Sequence, residues 1–384
     1  MKKAKVLFFV NVDWFFISHR LPIAIDAAAK GYEVHVATTV TNQAKQIVDY
    51  GFILHDINIS RGKTNPFFVI KNLFDIIFLF KKIKPNIVHL VTIKPILLGG
   101  IAARLTNVQG VVTAISGLGY IFINQGFIAS IRRFLIKLLY RLSLRHKNIM
   151  IICQNQNDLQ EIKSLSKLTD SSFTIIEGSG VSLEKFKYFP DTSVIPNVMM
   201  ASRLLIDKGV VEFYEAAAIL KQIKLQANFV IVGETDPDNP ASIPDDLIEK
   251  WKNENIVEFW GHRPDMQNHL PKASIVVLPS YREGFPKVLI EAAACGRPVI
   301  TTDVPGCRDA IYNTETGILV PPRNAKALAD AIKKLILDNP TRQMMGTKAR
   351  QMSEARFDEK MVITKHLHIY KQLVENANKT KIDN

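Results

Sequence analysis

Glu283-Gly-Phe-Pro-Lys-Val-Leu-Ile-Glu291-Ala-Ala-Ala-Cys-Gly-Arg-Pro-Val-Ile-Thr-Thr302 packs a loop, a helix and a strand into one short stretch. It follows the apolar run Ala273–Leu278, which reads as a buried strand ending at Pro279-Ser280. Pro286 stands where a first helical residue belongs, since its fixed φ suits the first turn and its missing N–H is not needed there. The helix should run to about Cys295 and stop at Gly296, with Pro298 blocking any continuation, before a strand over Pro298–Thr302. Strand, loop, helix, strand is a βαβ unit, and such sheets bind ligands beyond the carboxyl ends of their strands. Glu283 falls in the loop and Glu291 in the early helix. The amide groups near Pro286–Val288 make a positive end suited to a diphosphate. On spacing alone, two glutamates eight residues apart are more often solvated charges near a helix start.

Working outward, the second half repeats this alternation. Asn197–Ala201 reads as a strand, followed by Ser202-Arg203-Leu-Leu-Ile-Asp207-Lys208-Gly209 and a helix over Val210–Leu220. An Arg and a Lys around such a turn can grip a diphosphate, the Arg bidentately and the Lys as a point charge. Taken alone, the turn is more often a basic loop in solvent. Ala227–Val232 is a strand ending at Gly233-Glu234, and Ile256–Trp260 is another. Asp236 and Asp238, set among Pro237, Asn239 and Pro240, read as a surface loop rather than a metal site. Amphipathic helices are expected over Ala325–Leu337, Arg342–Ala355 and Glu359–Asn376, with a disordered tail beyond.

The first half is also α/β. Lys5–Asn11 is an apolar central strand, Val12–Ser18 a loop, His19–Lys30 a helix closed by Gly31, and Tyr32–Thr38 a second strand. The loop lacks the G-x-G-x-x-G of a dinucleotide site, which speaks against a dehydrogenase. Phe52–Ile59 and Asn86–Val91 read as strands. Between them the apolar helix from Asn65 to Lys82 is either a core helix or part of a membrane-facing surface, and core is the preferred reading. Gly110–Ile115 is a strand leading into Ser116-Gly117-Leu118-Gly119-Tyr120, where the glycines allow close backbone approach or simply a tight turn. Phe127–Lys147 is a basic amphipathic helix carrying Arg132, Arg133, Lys137, Arg141, Arg145 and Lys147, either a solvated face or an interfacial element drawn to anionic lipid. Ile149–Cys153 and Phe173–Ile176 are strands around a helix over Asp158–Lys167, and Lys187–Pro196 is a linker.

Composition sets bounds. A chain of 384 residues, 47% hydrophobic and 22% charged, is globular and long enough for two domains. Residues 1–190 hold 24 Lys and Arg against 11 Asp and Glu, whereas residues 191–384 hold 25 of each, so the net +13 lies in the first half. A basic half suits a phosphorylated substrate or an anionic membrane, and the aromatic-basic interleaving of a nucleic-acid binder is missing. Three scattered cysteines fit a reducing cytoplasm, and no His/Cys cluster has zinc spacing. The start Met1-Lys-Lys-Ala-Lys reads as leading into a buried strand rather than a signal peptide. No run of 18 apolar residues is present.

Glu283-Gly-Phe-Pro, Glu291-Ala, the small-residue run, Gly296-x-Pro298-Val-Ile and Thr-Thr-Asp303 together resemble the signature of the retaining glycosyltransferases of family 4. The resemblance covers the whole chain. It implies the GT-B fold: α/β, two Rossmann-like domains facing across a cleft, with a C-terminal helix crossing back to the first. Residues 1–187 would be the acceptor-binding domain, 188–358 the nucleotide-sugar domain, and 359–384 the returning helix and tail. The implied reaction moves a sugar, a HexNAc from a UDP-sugar, onto a polyprenyl-diphosphate-linked or other cell-surface glycan, with no metal or other cofactor. Arg203 and Lys208 would stabilise the leaving diphosphate, Glu283 would orient the sugar and Glu291 the ribose. Gly233, Gly284, Phe285, Pro286, Lys287 and Val288 would complete the nucleotide-sugar site. His89 matches a position that often carries a cleft-facing His, an ordinary structural His being the other reading. Asp13, His19, Lys94, Gly117, Gly119 and Tyr120 would meet the acceptor, although His19 is as readily an ordinary helix start. Relatives carry a substrate-contacting His in the Ser116–Tyr120 loop, and this chain has none; Pro305-Gly306 replaces a common Gly-Gly. The first half looks most like bacterial enzymes that extend lipid-linked glycans, implying attachment at the inner face of the cytoplasmic membrane. A UDP-sugar 2-epimerase of the same fold and a non-catalytic nucleotide-sugar-binding protein are the alternatives.

Overall fold

The computed structural model describes residues 3–59, 65–117, 127–166, 168–237 and 239–382. Contacts divide the chain into two compact units, one running to Ser179 and taking back the chain from Met361, the other Gly180–Lys360. The first holds a parallel sheet of β1 (Lys5–Val12), β2 (Glu33–Thr39), β3 (Ile53–Asp56), β4 (Ile87–Val91), β5 (Gly110–Ile115), β6 (Ile149–Cys153) and β7 (Phe173–Ile175), ordered β3-β2-β1-β4-β5-β6-β7. The second holds β8 (Asn197–Ala201), β9 (Asn228–Val232), β10 (Glu258–Phe259), β11 (Ile275–Leu278), β12 (Val299–Thr302) and β13 (Gly317–Val320), ordered β10-β9-β8-β11-β12-β13. Every pairing is parallel. Both sheets therefore reverse direction beside their first strand, at β1/β4 and at β8/β11, and ligands of doubly wound sheets bind at those switch points.

The strands read as apolar runs because both faces are covered. In β1, Leu7 and Phe9 pack into the core under helices Pro66–Ile83, Ile93–Leu105 and Phe127–Ser143. Val6, Phe8 and Val10 face the other way, towards helix Leu21–Ala29 and the terminal helix Glu359–Ile382, which contributes Val362, Ile369, Tyr370 and Leu373. Burying such a side chain is worth about 1.5–3 kcal/mol, so the returning helix is part of the first unit's stability. The helix continues to Ile382, so the chain after Asn376, expected to be disordered, is helical as far as Ile382.

Several local expectations are corrected. Val12–Ser18 is not a loop: helix Asp13–His19 starts at the end of β1, breaks at Arg20 and restarts as Leu21–Ala29. The break has a cause in Pro22, whose ring opposes the carbonyl four residues back. Helix Ile93–Leu105 went unanticipated because it contains Pro95, Gly99 and Gly100. Pro95 falls among the first N–H groups, which need no helical partner. A Cβ on Gly99 would lie 2.5 Å from Leu90 Cδ2, and one on Gly100 2.5 Å from the Ser143 carbonyl, so close packing demands the glycines. Segment 180–191, expected to end the first domain and begin a linker, is tied to the second unit: Val181 N donates to Phe357 O at 2.8 Å and Arg297 Nη2 to Phe189 O at 2.6 Å.

Candidate active site

In the second unit the site begins where β8 ends. Its first loop runs through Arg203 to a 3-10 turn at Ile206–Lys208, and Gly209 follows at φ +76°. A Cβ on Gly209 would sit 2.2 Å from the Pro279 carbonyl, so glycine lets this loop lie against the one after β11. Tyr281 N then donates to Asp207 O at 2.9 Å and fastens the two. The result is that Lys208 Nζ meets the Glu283 carboxylate in a half-buried ion pair. Ser280 Oγ, fully buried, donates to the same carboxylate oxygen at 2.8 Å, and Thr302 Oγ1 donates to the Ser280 carbonyl. From the other side the Pro305-Gly306 turn holds the backbone of Glu283 and Gly284. Glu283 N donates to Pro305 O at 3.3 Å, and a Cβ on Gly306 would lie 2.5 Å from the Glu283 carbonyl. The departure from Gly-Gly thus keeps the glycine that the contact requires.

Helix Lys287–Ala294 starts one residue later than expected, with Pro286 extended (φ −74°, ψ 117°) as its cap and no side chain capping its amino end. Lys287 Nζ lies 3.3 Å from Glu291 Oε1. Burial pushes the Glu291 carboxyl above the ordinary carboxylate range, and Lys287 pulls it back only in part. Phe285 turns its ring into the core against Phe357, 5.5 Å between centroids, so only its backbone stays in the loop. Val288 is likewise packed against the core. Gly233, at φ +146°, is where β9 closes on the first loop: a Cβ there would lie 1.8 Å from the Ser202 carbonyl.

Arg203 Nη1 pairs with Asp236 Oδ2 at 2.5 Å, the guanidinium being substantially exposed. Asp236 had been read only as surface loop; Asp238 lies outside the described residues. Sequence reasoning also missed Ser280. Its signal is its place, a hydroxyl at the carboxyl end of β11 three residues before a glutamate.

The first unit uses its polar residues differently. Asp13, expected to meet an acceptor, is fully buried and accepts from Trp14 N, Thr41 N, Thr41 Oγ1 and Gln43 N, at 2.5–2.9 Å. Burial raises its pKa, but these donors, Thr41 foremost, outweigh that and leave it below the ordinary range. Its carboxylate joins loops and is spent on them. His89, expected at a strand end facing a cleft, is in mid-β4 and 0% exposed. Its Nδ1 lies 2.5 Å from Tyr370 Oη, and it stacks on His366 at 5.5 Å. Burial, then Arg20 and His366, hold it well below an ordinary imidazole. It is a core residue, and the cleft-facing reading is withdrawn. His19 stacks on Phe15 at 4.1 Å with Nδ1 2.5 Å from Ser18 Oγ. Lys94 is half-buried near the β4 end, its pKa lowered by burial, and it follows Thr92, which holds φ +70°. Such a φ is an outlier for a β-branched residue and marks strain at this switch point. Gly117 has φ +101° beyond β5. Gly119 and Tyr120 lie outside the described residues, as do the side chains of Arg132 and Arg133.

Two parallel doubly wound sheets, one with an Arg/Lys/Glu constellation at its switch point, define a GT-B glycosyltransferase. Residues 194–352 match the family model "Glycosyl transferases group 1" and residues 5–169 match "Glycosyl transferase 4-like". The chain is 31% identical to the N,N'-diacetylbacillosaminyl-diphospho-undecaprenol alpha-1,3-N-acetylgalactosaminyltransferase of Campylobacter jejuni, over 94% of this chain and 99% of that one. It is 26% identical to the UDP-Gal:alpha-D-GlcNAc-diphosphoundecaprenol alpha-1,3-galactosyltransferase of Escherichia coli, over 80% of each. A glycosyltransferase structure from Rickettsia africae superposes with TM-score 0.76 at 23% identity, covering 98% of this chain and 100% of that one. The chain belongs to the family 4 glycosyltransferases, and the epimerase and binding-protein alternatives find no support.

Proposed function

We propose that this glycosyltransferase moves a HexNAc from a UDP-sugar onto a polyprenyl-diphosphate-linked glycan, with retention at the anomeric carbon. The observation that carries the reading is the Lys208–Glu283–Ser280 network at the β8/β11 switch point. Support for the donor and acceptor comes from the names of the two relatives, one an N-acetylgalactosaminyltransferase and one using UDP-Gal, both with diphospho-undecaprenol acceptors.

Charge management explains the residues. As the bond from the anomeric carbon to the diphosphate oxygen breaks, negative charge grows on the leaving UDP. Lys208, Arg203 and the amino end of helix Lys287–Ala294 stabilise it electrostatically. A diphosphate beside Lys208 takes over the cation's charge and releases Glu283 to hold sugar hydroxyls, while Ser280 keeps the carboxylate in place. Glu291 meets the ribose. The acceptor hydroxyl attacks from the face the diphosphate leaves, and a donor phosphate oxygen takes its proton. Lys94, His19 and Gly117 contribute to the acceptor side. Protein cations do this without a metal, so chelation with EDTA leaves turnover unchanged. Because the acceptor is lipid-borne, the enzyme works at the inner face of the cytoplasmic membrane, with the basic helix Phe127–Ser143 attracted to anionic lipid. No helix among the described residues is long and apolar enough to cross a membrane.

The test is UDP release from a panel of UDP-sugars, with and without polyprenyl-diphosphate glycan. Release that needs the acceptor and favours UDP-HexNAc supports the reading. Conversion of the donor without acceptor would sink it.

A further inference from the structure

Helix Pro66–Ile83 has two apolar faces. Ile76, Phe80 and Ile83 are buried in the first unit's core. Opposite them Phe67, Ile70, Phe74 and Phe78 are 78, 55, 66 and 70% exposed. Their spacing of three, four and four residues aligns them in one stripe. The helix is thus a core helix, as preferred, that also leaves a second apolar face open. Helix Phe127–Ser143 repeats the pattern with Phe134, Leu135 and Leu138 exposed at 67, 52 and 44%. Both helices pack against the same neighbour, Ile93–Leu105, and so belong to one layer on one face of the first sheet. An exposed stripe of large apolar side chains on this scale marks an interaction surface.

The charge around the stripe says what covers it. Residues 57–157 contain 14 Lys and Arg and a single acidic residue, Asp75. Lys71 pairs with Asp75 at 3.1 Å, whereas Lys81, Lys82, Lys137 and Arg141 are exposed on these two helices. A second copy of the chain would bring the same positive surface against itself, which like-charge repulsion opposes. An anionic bilayer surface offers both the acyl phase for the stripe and the opposite charge for the lysines.

We propose that helix Pro66–Ile83 is the principal lipid-inserting element of the first unit. Phe67, Phe74 and Phe78 enter the acyl boundary, and helix Phe127–Ser143 lies beside it on the headgroups. The helix, about 27 Å long from its 18 residues, lies in the plane of the interface. The proposal rests on the reading of a membrane-borne acceptor and adds to it which surface faces the lipid.

The test uses the full-length protein with vesicles of phosphatidylcholine containing phosphatidylglycerol, read by co-sedimentation. The triple variant Phe67→Ser/Phe74→Ser/Phe78→Ser is expected to lose at least tenfold in vesicle affinity. It should keep its circular dichroism melt and its turnover of a short-chain, detergent-free acceptor. Lys81→Ala/Lys82→Ala should weaken binding only to the anionic vesicles, and salt should do the same. Unchanged vesicle binding by the Phe variant overturns the proposal. So does a wild type that ignores vesicles while turning over the short acceptor, and so does a dimer that the Phe variant dissociates. Vesicle binding that depends on these phenylalanines in a protein that transfers no sugar would leave the surface standing and remove the transferase reading.

Discussion

The two sheets share a strand order and differ in what they place at the point where it reverses. In the second unit, Lys208, Glu283 and Ser280 converge at the β8/β11 switch point as a network whose ion pair is partly exposed. In the first, Asp13, Arg20 and His89 lie around β1 and β4 and are buried: loop amides fill the Asp13 carboxylate, Arg20 Nη1 reaches the His19 carbonyl and His89 Nδ1 reaches Tyr370. The same topology thus carries charge to a surface in one unit and locks it into a scaffold in the other. What separates the two sets is access: Lys208 and Glu283 keep part of their side chains at the surface, whereas Asp13, Arg20 and His89 are buried.

The sharpest way to break this contrast is kinetic. Lys208→Ala and Glu283→Ala should each lower kcat/KM by ~10²–10³, about 3–4 kcal/mol of transition-state stabilisation, with little change in melting temperature. Equal losses from a first-unit substitution that leaves folding intact would erase the distinction.

Acid should find the first unit instead. Burial, then Arg20, keep His366 at about 3, and its Nδ1 donates to the Val362 carbonyl at 2.8 Å; His89 is depressed too. Unfolded imidazoles take up protons near pH 6.5, whereas the folded ones resist. The stability they confer is complete above about pH 6.5 and is lost as pH falls below it, at about 1.4 kcal/mol per pH unit for each histidine. Denaturant titrations between pH 7 and 4 should show this slope, and His366→Phe should flatten it.

Asp13→Ala leaves several buried donors without an acceptor and should cost about 1–3 kcal/mol. Its depressed pKa makes the contribution present above the unfolded Asp value of about 3.9 and lost as pH falls towards the lower folded value. Thermal melts of this variant at pH 7 would contradict the structural role if they matched wild type.

The smallest effect is expected from His89→Gln on chemistry: kcat and KM with a short acceptor should stay within about threefold, although the melt shifts down. A large kcat loss at unchanged stability would return His89 to the site.

What could be read from residues alone follows physical visibility. The βαβ unit around Glu283 was legible because Pro286 and Gly296 mark the two ends of its helix, and the apolar runs of β8 and β11 are unbroken. Arg203, Lys208 and Glu283 were named together through their motif; the structure joins Lys208 to Glu283 and gives Arg203 to Asp236. The other partners were not legible: Asp236 reaches Arg203 from a loop 33 residues away, and Ser280, only three residues before Glu283, is one hydroxyl among many until the loop folds it onto the carboxylate. Helix Ile93–Leu105 was hidden by glycines that only its close neighbours explain. His89 misled because a strand's sequence does not show which histidine a returning helix will cover. The stripe on Pro66–Ile83 was ambiguous for a related reason: an all-round apolar helix does not say which face is left open.

The most direct measurement is calorimetric titration of UDP into wild type, Lys208→Ala and His89→Gln. A second-unit donor site predicts UDP binding by wild type and His89→Gln alike, and at least tenfold weaker binding by Lys208→Ala. Equal affinity in Lys208→Ala, or a loss confined to His89→Gln, would contradict it.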